Sequence, residues 1–304
     1  MGTVVNMDGR LVRPEEAVVS VFDRGFLYGD SVYEVVRTYG QRPFELERHL
    51  RRLRRSAERL ALELPWDGAR TRRELLRTLE AAAAAVEAPD PEAAPWNQGE
   101  LSLRVIMTRG AGELGLDPAL AVGPRAIIVA SPLRGPAASA YRDGVSCRIV
   151  GVRHDAPEAP DTTAKTGAHL ANVLAVREAR AAGAHEALLL DRDGFVTEGA
   201  SSNVFAVRAG CLETPPLEVG ILAGVTRELV LELARAERIE TRERRLRPED
   251  LARAEELFIT STAREILPVT ALDGRPVGTG RVGALTTRLR TLFRAGADAE
   301  AGAR

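Results

Sequence analysis

Residues 162–179 read TTAKTGAHLANVLAVREA, and Lys165 in that stretch is the only lysine of a chain that carries 42 Lys plus Arg among 304 residues. Every other cation of that set is an arginine. A solvated position accepts either side chain, so a lysine kept once points to something that arginine cannot do. A primary amine condenses with an aldehyde and gives up its proton readily when desolvated, whereas a guanidinium stays protonated and non-nucleophilic. A drift of composition toward arginine is the other explanation, and the surrounding sequence has to decide between them. Lys165 is flanked by small uncharged residues and stands just before a helical segment, Gly167 to Ala182, which Gly183 ends in the position that a left-handed C-cap prefers.

Downstream, EALLLDRDGFVTEG predicts a hairpin with a turn at Asp193-Gly194, followed by a strand at Asn203 to Val207. A helix is expected over Thr226 to Ala236, a strand over Glu256 to Thr260 and a last helix over Val282 to Phe293. A strand over Val145 to Val152 opens this half. Upstream, TVVNM-DG-RLV reads as two strands around an Asp8-Gly9 turn. Strands are expected at Ala17 to Phe22, Val32 to Tyr39, Leu101 to Thr108 and Ala126 to Ala130. Leu46, Leu50, Leu53, Ala57 and Leu60 recur at helical spacing. A second helix is expected at about 71 to 88, and a Pro-rich loop over Ala88 to Pro95. The segment PLRGP, Pro132 to Pro136, reads as a linker. The chain is therefore expected to be an α/β protein of two domains, residues 1–131 and 137–304.

Composition bounds the partners. The formal net charge is −1 and no block of like charge persists, so neither nucleic acid nor an anionic membrane surface is an expected partner. No apolar run reaches the length of a signal peptide core or a membrane span, and a cytoplasmic location is expected. Cys147 and Cys211 lack metal or disulfide spacing, and none of the four histidines pairs with another at ligand spacing, so no metal is expected.

Lys165 in its segment and VTEGASSNVF at 196–205 together resemble the class IV aminotransferases, the fold-type IV pyridoxal-phosphate enzymes that include branched-chain amino acid transaminase, D-amino acid transaminase and aminodeoxychorismate lyase. The resemblance extends to FDRGFLYGDSVYEVVRTY at 22–39, RHLRRLRRSAERL at 48–60, GVTRELV at 224–230 and LFITSTAREILPV at 257–269. It implies an N-terminal open α/β domain, a C-terminal barrel-like α/β domain, pyridoxal 5'-phosphate as cofactor and a homodimer.

By the same resemblance, Lys165 condenses with the cofactor's aldehyde and then shuttles the proton at the substrate's α-carbon, and Glu198 pairs with the pyridine nitrogen. Read alone, Glu198 is a turn residue after a strand. Arg52 matches the family's phosphate arginine; without the resemblance it is one of five similar arginines, with Arg48, Arg51, Arg54 and Arg55. Gly224, Val225 and Thr226 precede a helix, whose amides make an anion site, and Thr262 matches a second phosphate donor. Each of these also has a plainer reading, as a helix N-cap for Thr226 and a satisfied turn hydroxyl for Thr262. On the substrate side the resemblance points to Tyr33, Ala263 and Arg104, the last for an acidic co-substrate. Arg104 is the only charge in LSLRVIM, so it is either outward-facing on a sheet or functional.

The pattern departs in places. Branched-chain enzymes carry a tyrosine five residues after the lysine, where this chain has Leu170, and Phe-Glu-Gly-Ile-Arg where it has Tyr33-Glu34-Val35-Val36-Arg37. The D-enzymes' Arg-x-His motif is absent, and Glu34-Val35 replaces the lyase's threonine pair. The expected activity is transamination of branched-chain or other aliphatic L-amino acids with 2-oxoglutarate, with a D-amino acid transaminase, a lyase or a cofactor-binding module without turnover as alternatives. Gly110, Gly112 and Gly115 also spell the dinucleotide fingerprint, but Leu116-Asp117-Pro118 interrupts the helix that such a site requires.

Overall fold

The computed structural model describes residues 2–84, 93–153 and 163–302. Contacts divide the chain into two units, one of Met1–Arg134, Ala164–His169 and Glu300–Arg304, the other of Gly135–Thr163 and Leu170–Ala299. The first change of unit comes between Arg134 and Gly135. The Lys165 segment, however, groups with the first unit rather than with the residues that surround it in sequence, because its backbone bonds to a strand there.

In the first unit the order is β1 (Val4–Met7), β2 (Arg10–Val12), α1 (Arg24–Tyr28), β3 (Ser31–Tyr39), β4 (Arg42–Pro43), α2 (Leu46–Arg59), α3 (Gly68–Ala83), β5 (Leu101–Thr108), β6 (Ala111–Gly112), β7 (Ala121–Val122) and β8 (Arg125–Pro132). Six strands form one sheet in the order β2-β1-β8-β5-β3-β4, every neighbouring pair antiparallel. Asp8 and Gly9 both take positive φ, 54° and 96°, as the β1–β2 hairpin turn demands. Helices α2 and α3 cover one face, where Val32, Val36, Leu53, Leu75, Leu103, Met107 and Ile128 form the core. Each fully buried side chain of this size contributes about 1.5–3 kcal/mol relative to exposure. Since strand residues alternate between faces, Tyr33, Val35, Arg104 and Ile106 lie on the opposite face.

One expectation fails here, and one helix starts a little earlier than expected. Ala17 to Phe22 forms no strand; Val18 is 72% exposed and Val21 and Phe22 are exposed too, so its apolar residues cover no core. Gly110, Gly112 and Gly115 lead into no helix. Ala111–Gly112 pairs with Ala121–Val122 instead, and a Cβ on Gly112 would collide with the Leu120 carbonyl. Those glycines serve backbone approach, not a dinucleotide. The second helix begins at Gly68, capped by Asp67, whose side chain accepts from the Arg70 N–H. Its expected end and most of the loop over Ala88 to Pro95 fall at 85–92, outside the described residues.

The second unit runs α4 (Ala138–Asp143), β9 (Val145–Arg153), α5 (Leu170–Ala181), β10 (Glu186–Leu190), β11 (Val196–Gly199), β12 (Asn203–Arg208), β13 (Cys211–Thr214), α6 (Val225–Ala236), β14 (Thr241–Glu243), α7 (Pro248–Ala252), β15 (Glu256–Ser261), β16 (Glu265–Leu272), β17 (Arg275–Pro276) and α8 (Ala284–Gly302). Its sheet follows β11-β10-β9-β16-β15-β12-β13-β14, with β17 beside β16. A bridge between Gly199 and Ser202 joins β11 to the head of β12, so the path through β10, β9, β16 and β15 returns on itself as a barrel-like sheet. Phe205 and Phe258 stack inside it, 4.9 Å between centroids. Helix α5 packs Ala175 and Ala179 on Val150, Ala187 and Leu189.

Candidate active site

Lys165 is positioned by its backbone. The Tyr33 N–H donates to the Lys165 carbonyl at 2.9 Å, and the Gly167 N–H to the Ser31 carbonyl at 3.0 Å, so residues 165–167 lie alongside β3 like an extra strand. From the other side the Lys165 N–H donates to Ser56 Oγ of α2 at 3.0 Å. The ammonium thereby comes 4.6 Å from the Tyr33 ring centroid. Arg104 pairs with Val35 across β3 and β5, which puts it on the face of Tyr33, and its guanidinium lies 4.7 Å from the same ring. Each cation over the ring contributes about 0.5–1 kcal/mol. Among the described residues neither Lys165 nor Arg104 has a carboxylate partner. Arg104 is thus both outward-facing and beside the lysine.

On the helix-covered face of β3, Glu34 forms a buried cluster. Arg52 Nε and Nη2 donate to its two oxygens at 2.6 and 2.8 Å, and His49 Nδ1 lies 2.8 Å from Oε2. Burial alone would raise the Glu34 pKa; the Arg52 charge and fork, with His49, overturn this and hold the carboxyl well below the usual carboxylate range. His49 is pushed down, first by burial and further by Arg52 and Lys165, so its Nδ1 is a neutral donor to the carboxylate. Of the five arginines in this helix region, Arg52 is the buried one. Two of its five N–H groups are taken by Glu34.

In the second unit Glu198 is the next-to-last residue of β11, its Oε2 accepting from Asn203 Nδ2 and from the Leu222 N–H, each at 3.1 Å. Asn203 Nδ2 also donates to the Leu222 carbonyl at 3.1 Å. Gly224 is the N-cap of α6, a position expected of Thr226 on its own, and a Cβ there would collide with Asn203 Oδ1. The N–H groups of the first helical turn lack intrahelical partners, and Val225 and Thr226 sit in that turn. Asn203 pairs with Thr260 across β12 and β15, and two residues on, Thr262 and Ala263 stand in the turn to β16. Asn203 thus ties Glu198, the α6 N-terminus and the end of β15 together. The sequence reading missed it, although it ends the same Glu-Gly-x-x-x-Asn stretch that singled out Glu198.

A family model for class IV aminotransferases matches residues 31–272. The chain belongs to the class IV aminotransferases. A Methanocaldococcus jannaschii protein provisionally named a branched-chain-amino-acid aminotransferase is 38% identical over 290 residues, covering 95% of each chain. The D-alanine aminotransferase of Bacillus licheniformis is 33% identical over 290 residues, covering 94% of each. Of solved structures, the Escherichia coli branched-chain amino acid aminotransferase superposes with a TM-score of 0.85 at 32% identity, over 96% of this chain and 93% of that one. The branched-chain aminotransferase of the thermophilic archaeon Thermoproteus uzoniensis, solved with norvaline, has a TM-score of 0.85 at 32% identity, over 97% and 94%. The mixed α/β architecture of this class IV aminotransferase is the fold-type IV one that the resemblance implied.

Class IV aminotransferases work with pyridoxal 5'-phosphate, and one branched-chain enzyme of like fold is complexed with N-(5'-phosphopyridoxyl)-L-glutamate. The residues of this chain fit that group. Its single lysine has no carboxylate partner among the described residues, so its amine is available to an aldehyde. Among the described residues, the buried polar atoms without a hydrogen-bond partner include His169 Nε2 in the first unit and Thr260 Oγ1 in the second. Leaving such an atom unmet costs about 1–3 kcal/mol, which a bound polar group would recover. Leu170, where the pattern departs from the branched-chain enzymes' tyrosine, is 74% exposed and opens α5. The residue that faces Tyr33 is its neighbour His169, ring centroids 5.1 Å apart and edge to face at 84°.

Proposed function

We propose that this class IV aminotransferase is a pyridoxal-phosphate-dependent transaminase of branched-chain and other aliphatic L-amino acids, with 2-oxoglutarate as amino acceptor. The observation that carries this reading is the pairing of the only lysine with Arg104 over one tyrosine ring, neither cation being neutralised by a carboxylate among the described residues. When bound, the cofactor supplies an aldehyde for the amine and a ring that draws electrons from the substrate's α-carbon. Lys165 holds the cofactor and moves the proton at the α-carbon. Glu198, fixed by Asn203 and the Leu222 amide, would hold the proton on the cofactor's pyridine nitrogen. Arg52, the Val225 and Thr226 amides and Thr262 take the phosphate. Tyr33 and Ala263 border the substrate, and Arg104 meets the second carboxylate of the acidic co-substrate.

The likeness to the E. coli and T. uzoniensis branched-chain enzymes supports the L-branched reading, and the likeness to a D-alanine aminotransferase defines its rival. A substrate panel of L-leucine, L-valine, D-alanine and D-glutamate against 2-oxoglutarate decides between them. Faster turnover of either D-amino acid than of both L-amino acids overturns the proposal.

The working unit is a homodimer. Val18, Val21, Phe22 and Phe26 are exposed, and the strip from Gly112 to Leu116 is tied beside them by the Gly112 N–H to the Phe22 carbonyl and by Arg24 to the Gly115 and Leu116 carbonyls. Leu114 and Leu116 of that strip are exposed as well, which leaves an apolar surface of the kind that subunits cover. Sedimentation of Phe22→Asp/Phe26→Asp should show dissociation; an unchanged sedimentation coefficient rejects this surface. No described helix is long and apolar enough to cross a membrane, and a cytoplasmic location is part of the proposal.

A further inference from the structure

Thr262 and Ala263 stand in the short turn that joins β15 to β16, closed by the pairing of Ser261 with Glu265. Turns of this length commonly place a residue near their end in the left-handed region, where glycine is at ease. Here that residue is Glu265, with φ 57°, and it is fully buried. Its two carboxylate oxygens accept from Arg294 Nη2 of α8 at 2.5 and 2.6 Å. A charged partner thus holds the end of the turn in a conformation that the Glu265 Cβ disfavours.

Arg264, the last residue of the turn, is held by its backbone and by its side chain. Its carbonyl accepts from Tyr141 Oη at 3.1 Å. Its Nη1 donates to Oε2 of Glu186, a buried carboxylate of β10, and its Nη2 donates to Ser201 Oγ at 2.8 Å. The ion pair alone would account for an arginine here, because a buried carboxylate needs a cation. The second bond does not serve that end. Ser201 belongs to the loop between β11 and β12, after Glu198 and before Asn203. Both loops spring from one strand pair, since Asn203 opens β12 and faces Thr260 of β15. Ser201 in turn donates to Glu186 Oε2 at 3.0 Å, which closes a ring of Arg264, Glu186 and Ser201.

We infer that Arg264 is a positioning residue: by bonding Glu186 and Ser201 at once, it fixes the turn of Thr262 and Ala263 against the loop that follows Glu198. The inference rests on the pyridoxal-phosphate reading, in which Thr262 takes the phosphate and Glu198 the ring nitrogen. A pyridine ring sets the spacing between its nitrogen and the carbon that bears the phosphate arm. A site that meets both groups must therefore hold its two loops to match. A guanidinium suits the task, because its planar fork offers separate nitrogens to separate acceptors, whereas an ammonium is a single point.

The test compares pyridoxal 5'-phosphate with pyridoxal, which has the same ring and no phosphate. Each is titrated into the cofactor-free full-length protein and read by its visible band. Removing Arg264 alone would leave Glu186 buried and unpaired, so the main variant is Glu186→Gln/Arg264→Met. It removes both charges and leaves position 186 beside the Ser201 and Ser202 hydroxyls. Its affinity for pyridoxal 5'-phosphate should fall about tenfold or more, the scale of a lost charged hydrogen bond. Its affinity for pyridoxal should hardly change, because Glu198 keeps its own anchors in Asn203 and the Leu222 amide. Arg264→Lys keeps a charge beside Glu186 without the fork, and should bind pyridoxal 5'-phosphate more weakly than the wild type. Equal weakening of both ligands in the double variant, or no weakening of either, overturns the inference. So does an Arg264→Lys protein that binds pyridoxal 5'-phosphate as the wild type does, which reduces Arg264 to the counter-ion of Glu186. If the double variant fails to fold, the lysine variant decides alone. A wild type that gives no visible band with pyridoxal 5'-phosphate fails the cofactor reading itself, an outcome distinct from these.

Discussion

Lys165 and Tyr33 are joined twice, by the Tyr33 N–H to the Lys165 carbonyl at 2.9 Å and by the lysine ammonium over the tyrosine ring at 4.6 Å. The first contact fixes where the lysine leaves the backbone, and the second fixes where its long side chain ends. A flexible amine would otherwise lose about 2 kcal/mol of rotamer freedom on being placed. The strand that supplies Tyr33 also supplies Glu34 to the opposite face, so a single strand holds both the amine and the carboxylate that orients Arg52.

Lys165→Arg should abolish turnover while leaving the melting temperature near that of the wild type, because the segment is held by backbone bonds that arginine retains. With only one lysine in the chain, borohydride reduction of the holoenzyme should add the cofactor's mass to the peptide holding Lys165. Turnover by the variant near the wild-type rate refutes the assignment.

Glu198→Gln keeps the shape that Asn203 and Leu222 hold and removes the charge. Stopped-flow half-reactions with L-leucine should slow by about 10², the scale of a lost electrostatic contact in a water-poor site. A change under about threefold would make Glu198 a turn residue and nothing more.

What the sequence made legible follows from which forces are local. Leu101–Thr108 forms as expected and Ser31–Tyr39 within one residue of expectation, since alternation and a buried face agree along both strands. The same alternation misleads at Ala17 to Phe22, whose apolar side chains lie on the surface. Strand β16 was overlooked because Pro268 argues against a strand interior; it pairs with Phe258, and pairing with β9 begins only at Val269, one residue past it. In the site, residue type was enough to find Lys165. Comparison with the branched-chain pattern drew attention to Leu170 as a departure and passed over His169, yet neighbouring residues at a helix start point about 100° apart, so one residue decides between solvent and the tyrosine ring. The bond from Arg52 to Glu34 spans 18 residues and two element types, and no periodicity announces it.

Glu34→Gln should show how much that buried cluster contributes. Removing one partner of a buried ion pair costs about 3–5 kcal/mol, here because Arg52 keeps its charge inside the fold. Glu34 has a depressed pKa in the folded state, so its contribution is present above the unfolded carboxylate pKa and is lost as pH falls through and below it. The difference in urea-unfolding free energy between wild type and variant should therefore be largest near pH 7 and shrink below about pH 4. A difference that is constant from pH 7 to pH 3 would mean that the glutamine disturbs packing and that charge is not the cause.

Arg104 is where the substrate proposal is most exposed to test. Its guanidinium lies on the Tyr33 ring beside the lysine and has no carboxylate partner among the described residues, so an incoming carboxylate would give it the charge it lacks. Glutamate and 2-oxoglutarate carry a second carboxylate, whereas leucine does not. Arg104→Leu should weaken the half-reactions with the two acidic substrates by about 1.5–3 kcal/mol in kcat/KM, the value of a charged hydrogen bond. The half-reaction with L-leucine should hardly change, because the strand and the ring contact lose only a surface charge. Equal losses with acidic and aliphatic substrates would make Arg104 a structural partner of Tyr33. A gain for D-alanine over L-leucine in the same variant would instead assign the arginine to the α-carboxylate and to the choice of hand.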